Sequence, residues 1–210
     1  MSKLHPVLHS ILFLSISLIL MSCSKDSVVE PETPVAGDLP VRTVTNLNTT
    51  GSTTTTNKFT YYRFSDSTVV TGADTATNKW DIAFRTTTIL INGGAARFGN
   101  GGAIVMRGSS FDNVTTAPET GWGIDTLATS KLAITTGSGN GWYTYDFGTN
   151  TISAIEGVVL LIRTGDGKYA KMKISSYYKD SDPQPMPNPM NFQYYNFKYT
   201  YQPNGSRQVK

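Results

Sequence analysis

The sequence predicts an all-β, mostly antiparallel single domain set behind a non-globular N-terminal segment. Three observations predict it. Short runs rich in Val, Ile, Thr, Tyr and Phe recur along the chain, and Gly, Asn, Asp and Ser separate them at short intervals. No window of about a dozen residues sustains the helical period of 3.6. Hydrophobic residues make up 39% of the 210, which is enough for a packed core.

Residues 1–22 read as an export signal rather than as part of the fold. Lys3 supplies the positive start, and "ILFLSISLILM" (Ile11–Met21) is an apolar run of signal-peptide length, short for a membrane span. "LMSC" follows, with Leu20 three residues before Cys23 and small Ser22 just before it. It resembles the lipobox of bacterial lipoproteins, which implies that Cys23 is the acylated (palmitate-type) first residue of the mature chain. Cys23 is also the only cysteine, so neither a disulfide framework nor a thiolate metal cluster is expected. Residues 23–42 form a lipidated, Pro-rich acidic tether with too little apolar surface to fold alone. "SKD" (Ser24–Asp26) is similar to the surface-export signals of Bacteroidetes lipoproteins.

The β domain is expected over residues 43–210. Thr-rich "TVTNLNTTGSTTTTNK" opens it with an edge strand or an ordered loop. "FTYYRF" (Phe59–Phe64) and "STVV" (Ser67–Val70) are short strands. "NKWDIAFRTTTILINGG" (Asn78–Gly94) reads as strand, break, strand and turn, with Trp80, Ile82 and Phe84 on one face. "GGAIVMRG", "LAITT" (Leu132–Thr136) and "GWYTYDF" (Gly141–Phe147) continue the series. In "GVVLLIRTGDGKYAKMKISSYY" (Gly157–Tyr178), Val158–Ile162 reads as a strand buried on both faces, and Gly165-Asp166-Gly167 as a hairpin turn. On its return strand Ala170, Met172 and Ile174 share the core face, opposite Lys171 and Lys173. "KDSDPQPMPNPMN" must be a loop. "FQYYNFKYTYQ" aligns Tyr195, Phe197, Tyr199 and Tyr201 on one face.

Little in the chain points to catalysis. The net charge is +3 with no basic block, so no nucleic acid is expected as partner. "TGDGK" lacks the upstream Gly and the Ser or Thr of a phosphate-binding loop, and "GNGG" (Gly99–Gly102) lacks dinucleotide-site flanks. Asp180 and Asp182 offer a weak calcium pair, better read as exposed turn residues. Both histidines, His5 and His9, fall in the signal segment. The mature chain therefore has no histidine for a triad or a zinc site, and no enzyme is expected. Trp80 reads as core. Trp122 and Trp142, at loop–strand junctions, are open to stacking on a sugar or a flat ligand.

The Asn78–Gly94 run, "GNGGAIVMRGSSFDNVTTAPE" and "GWYTYDFGTNTISAIEGVVLLIRTGDGKYAKMKISSYYKD" together resemble the HmuY family, the haem-binding surface lipoproteins of Bacteroidetes. The likeness covers roughly residues 43–201. It implies an HmuY-like single domain with extended hairpin loops, lipid-anchored to the outer membrane at the cell surface. It also implies haem as ligand, a role in iron acquisition and a TonB-dependent receptor as partner. In that family, two histidines or two methionines between "FDNVTTAP" and "VVLLIR" hold the iron. Here the stretch is short, the segment for the first ligand is missing, and the second slot falls on Phe147. The remaining soft ligands are Met106, Met172, Met186 and Met190, of which Met106 and Met172 look buried. Tyr143 and Tyr145 can supply a phenolate, and Trp142 an aromatic wall. Two readings follow: a haem or porphyrin binder without the usual axial ligands, and a relative that has lost haem and takes another small molecule, a glycan or a protein.

Overall fold

Alternating apolar side chains build almost every element of this molecule. The computed structural model describes residues 37–95, 97–126, 131–182 and 191–210. Among them are eleven strands: β1 (Arg42–Asn48), β2 (Thr60–Arg63), β3 (Thr68–Val70), β4 (Ile82–Arg85), β5 (Thr88–Ile91), β6 (Gly102–Met106), β7 (Tyr143–Asp146), β8 (Thr151–Ala154), β9 (Val159–Arg163), β10 (Tyr169–Tyr178) and β11 (Phe192–Gln202). One sheet has the order β1-β11-β10-β9-β6, and a second has the order β3-β2-β4-β5. β7 and β8 form a separate two-stranded arm. Every pairing is antiparallel, so the all-β class is the one the strand pattern predicts.

The two larger sheets bury one apolar face each against the other. Tyr62, Phe64, Ile82, Phe84, Ile89 and Ile91 come from the four-stranded sheet. Leu160, Ile162, Met172, Tyr195, Phe197 and Tyr199 meet them from the five-stranded sheet. The expected aromatic row of β11 is the centre of this core. Tyr195 lies 4.4 Å from Phe84 between ring centroids, and Phe197 lies 5.5 Å from Tyr62. The Tyr hydroxyls are satisfied across the core: Tyr195 donates to the Thr86 carbonyl and Tyr199 to that of Phe64.

The far face of β9 is covered as well. Val159 and Leu161 pack against Phe111, Val114, Ala117 and Val209, so the Val158–Ile162 run is buried on both faces. Lys171, read as lying on the face opposite the core, is here only 2% exposed. The loop from Phe111 to Ala117 folds over it, and its ammonium donates to the carbonyls of Phe111 and Val114 at 2.8 Å each. The Phe111 ring lies 4.4 Å from the same nitrogen, and burial pushes the Lys171 pKa down. Strand alternation identifies the face a side chain points to, but not what later covers that face.

Two further expectations are corrected. Trp80 does not share a face with Ile82 and Phe84. It packs on the outer side of the four-stranded sheet with Val70, Ala83 and Leu90, because β4 begins only at Ile82 and Asp81 forms a bend before it. Leu132–Thr136 is irregular rather than a strand. Its backbone is pinned by the Asp125 carboxylate, which accepts the Ala133 N–H on one oxygen and the Ile91 N–H on the other.

Asp81 plays a matching part at one end of the sandwich. Its Oδ2 accepts the Phe64 N–H at 2.7 Å and its Oδ1 the Gly165 N–H at 3.0 Å. Neighbouring Asn92 donates to the carbonyls of Thr77 and Trp80 and accepts from Phe98 and Gly99. The fit leaves no room for side chains: a Cβ on Gly165 would overlap the Trp80 carbonyl, and one on Gly99 the Asn92 carbonyl. Burial pushes the Asp81 carboxyl up to about 6, against the opposing pull of its two N–H donors.

The folded state therefore holds the Asp81 proton more tightly than the unfolded chain does. Its contribution to stability is greatest below the unfolded value of 3.8 and is lost as pH rises through about 6. Asp66, held down to about 2 chiefly by Arg63, acts in the opposite direction only below the unfolded carboxylate range. Urea unfolding is thus expected to show higher stability at pH 5 than at pH 7.5. Asp81→Asn should flatten that slope while lowering stability by about 1–3 kcal/mol, since an amide NH2 would face an N–H donor. For Lys171, replacement by Ala should raise hydrogen exchange across residues 111–117 first, leaving two buried carbonyls unpaired at about 1–3 kcal/mol.

Candidate functional site

The later part of the stretch in which the family resemblance places the iron ligands, Phe147 included, folds as the β7–β8 arm. Its root is built from core residues. Trp142, expected to be open, is 2% exposed. Its ring lies 5.4 Å from Tyr195 and 6.0 Å from Tyr177, and its indole N–H donates to the Thr87 carbonyl. The glycines beside it bring the chain down onto the core instead of displaying the ring. Trp122 is half-buried, donates to the Pro118 carbonyl, and has the Arg163 guanidinium 5.5 Å over its ring. Neither tryptophan presents a free stacking face.

Moving outward, the arm becomes progressively exposed. Tyr143 is buried, and its hydroxyl accepts from Thr87. Tyr145 is half-buried and donates to Asn150 Oδ1 at 2.6 Å. The Asp146 carboxylate shapes the tip by accepting the Gly148 N–H and the Thr149 hydroxyl. Phe147 is 83% exposed there, and its ring sits edge-on to Tyr145 at 4.8 Å. A phenylalanine left in water at a hairpin tip, braced by a second ring, is a pre-formed aromatic contact.

A cleft of about 310 Å³ opens between this arm and the end of the five-stranded sheet. Tyr145 and Ile152 form the arm side, Tyr177, Tyr178 and Phe192 the floor, and Thr86 an edge. The volume is at the lower end of the ~300–1,000 Å³ common for small-molecule sites. The Tyr178 hydroxyl accepts the Ile152 N–H at 2.8 Å, which pins the arm to β10. Two polar groups at the cleft have no partner among the described residues: the Tyr177 hydroxyl, and the buried Oε1 of Gln193. Gln193 also has a left-handed backbone, with φ of 66°. Burial pushes the Tyr177 phenol well up, so it stays protonated and can donate.

Tyr143, Tyr145 and Phe147 thus share one arm, with Trp142 beneath it. Met186, Met190 and Cys23 lie outside the described residues. Met172 is fully buried in the core, and Met106 is half-buried on the opposite face of the five-stranded sheet. Among the described residues no cluster of three or more His, Cys, Asp or Glu side chains is placed to hold a metal. Asp180 and Asp182 are exposed, and Asp180 is engaged by Asn46 through two hydrogen bonds. Tyr177, Tyr178, Phe192 and Gln193 escape sequence reading, because only the fold brings strand ends more than 20 residues away back beside the arm. The one available signal is the aromatic pair at the end of "KISSYY". The arm's gradient of exposure has a measurable consequence. Trp142→Ala should cost about 3–5 kcal/mol in chemical denaturation, whereas Phe147→Ala should stay within about 0.5 kcal/mol of the parent.

The family model described as HmuY protein matches residues 55–194. Among solved structures, the apo HmuY analogue of Tannerella forsythia is 16% identical, with a TM-score of 0.49, covering 79% of this chain and 96% of that one. Apo PinO from Porphyromonas gingivitis is 13% identical, with a TM-score of 0.47, covering 79% of this chain and 98% of that one. No curated protein matches the chain in sequence. The family match spans the four-stranded sheet, the arm, the β9–β10 hairpin and the start of β11, well over half of the chain, and this protein accordingly belongs to the HmuY family.

Proposed function

We propose that this protein is a lipid-anchored surface protein that captures haem or a related porphyrin by aromatic contact, without the paired axial ligands of its family. The observation that carries the reading is the Tyr145–Phe147 ring pair on a projecting arm, beside a cleft floored by Tyr177, Tyr178 and Phe192. A flat apolar macrocycle is matched by aromatic faces and edges, and the partnerless Tyr177 hydroxyl and Gln193 carbonyl supply polar contacts at its margin. The cleft encloses only part of such a ring, so one edge stays open to a receiving partner. Haem is here cargo, and a non-catalytic carrier role fits a mature chain without histidine.

The acyl chains on Cys23 would hold the protein at the outer membrane, with residues 24–42 as a tether. No helix among the described residues is long and apolar enough to cross a membrane. A TonB-dependent receptor is the partner this arrangement fits. Phe147 also supports a second reading, in which the scaffold has lost haem. It stands in the slot of a metal ligand, and its ring cannot coordinate iron.

Haemin titration of the protein from Ser24 onward separates the two. Saturable binding with a shifted Soret band is expected, weakened about tenfold in Phe147→Ala as one aromatic stacking contact is lost. A spectrum that stays that of free haemin at micromolar protein would remove the haem reading and leave the second. Met186→Ala and Met190→Ala should change the bound spectrum only where the Pro-rich loop supplies a ligand.

A further inference from the structure

The outer face of the four-stranded sheet should be polar, because an antiparallel sheet with one face on the core turns the other to water. Here it is not. Phe59, Tyr61 and Leu90 gather around Trp80 on that side, with Tyr61 edge-on to the indole at 4.9 Å. Beside them runs a groove of about 580 Å³, walled by Phe59, Leu90 and Leu132 and by two arginines, Arg85 and Arg97. It continues into a recess of about 290 Å³ where Tyr61, Trp80 and the exposed ring of Phe98 are found.

The charge in the groove is one-sided. Among the described residues no carboxylate lines it. Asp125, 3.8 Å from Arg97, is turned inward to the N–H groups of Ile91 and Ala133. Arg85 is held in a fixed pose: its guanidinium lies 4.2 Å over the Phe59 ring, and Nη1 donates to Asn57 Oδ1. Its Nε is buried and has no acceptor. A buried guanidinium N–H without a partner is uncommon and calls for one. A planar fork fixed against an aromatic ring is the arrangement that reads a carboxylate attached to a ring. Asn57, Thr88 and Thr136 add an amide and hydroxyls suited to sugar hydroxyl groups.

We propose that this groove is a binding site for an acidic sugar, with the ring against Phe59 and Tyr61 and the carboxylate on Arg85. The groove and its recess together offer volume for a short oligosaccharide. It is lined by different residues from the cleft beside the arm, so its success or failure is independent of the haem reading.

Isothermal titration of the tethered domain with a hyaluronan tetrasaccharide, a neutral chitotetraose and benzoate tests it. The acidic tetrasaccharide is expected to bind saturably, at least about tenfold more tightly than the neutral one, and more weakly as salt rises. Arg85→Met should reduce its affinity about tenfold or more, and Arg85→Lys, which keeps the charge but loses the fork, should also reduce it. Phe59→Leu should weaken binding with little change in folding, while Phe147→Ala should leave it unchanged. No binding at millimolar tetrasaccharide, equal binding of the neutral sugar, or undiminished binding by folded Arg85→Lys would each overturn the proposal. Benzoate binding as tightly as the tetrasaccharide would overturn the sugar assignment.

Discussion

A buried carboxylate, that of Asp81, joins parts of the chain that share no strand ladder. Each oxygen takes one backbone N–H, from Phe64 at the end of the four-stranded sheet and from Gly165 in the turn between β9 and β10. Hydrogen-bonded backbone groups in a buried turn need partners as much as those in a ladder do. Asn92 extends the same junction to Trp80, Phe98 and Gly99. The aromatic core between the sheets then has fixed walls to pack against. The constraint also explains the glycines around it, since backbone approaches backbone there with no space for a Cβ.

From that junction the sandwich carries its polar needs outward along tyrosines. Tyr195 and Tyr199 contribute ring area to the core and place hydroxyls on carbonyls of the opposite sheet. Tyr178 uses the same device to hold the arm, accepting the Ile152 N–H. Aromatic residues with one polar atom suit a thin sandwich: each spans the layer and satisfies a backbone group at its far side. Tyr177 departs from this pattern. It is buried like the others and lines the cleft, and its hydroxyl makes no hydrogen bond among the described residues.

The arm exposes its aromatic residues progressively from root to tip. At the tip of the arm Phe147 stands exposed, braced edge-on by Tyr145. Coordination depends on one atom at one distance, whereas aromatic contact depends on area and tolerates small displacements. The outer groove obeys the same economy: aromatic faces supply area, and one oriented guanidinium supplies direction.

Local pattern in the sequence was sufficient for most of the strands, though not for β8, for the aromatic face of β11, for the burial of Met172 and for the two-faced burial of β9, because strand alternation and apolar runs are local properties of the chain. The quoted motifs were sufficient for the family. What they left undetermined is what comes to lie over each face. Lys171 alternates outward yet is covered by the loop from Phe111 to Ala117. Trp142 borders glycines yet sinks beneath the arm, and Leu132–Thr136 has strand composition yet answers to Asp125. The cleft and the groove likewise join residues far apart in the chain. Local pattern determines the direction of a side chain, while only the tertiary structure decides whether that direction ends in water, in the core or in a site.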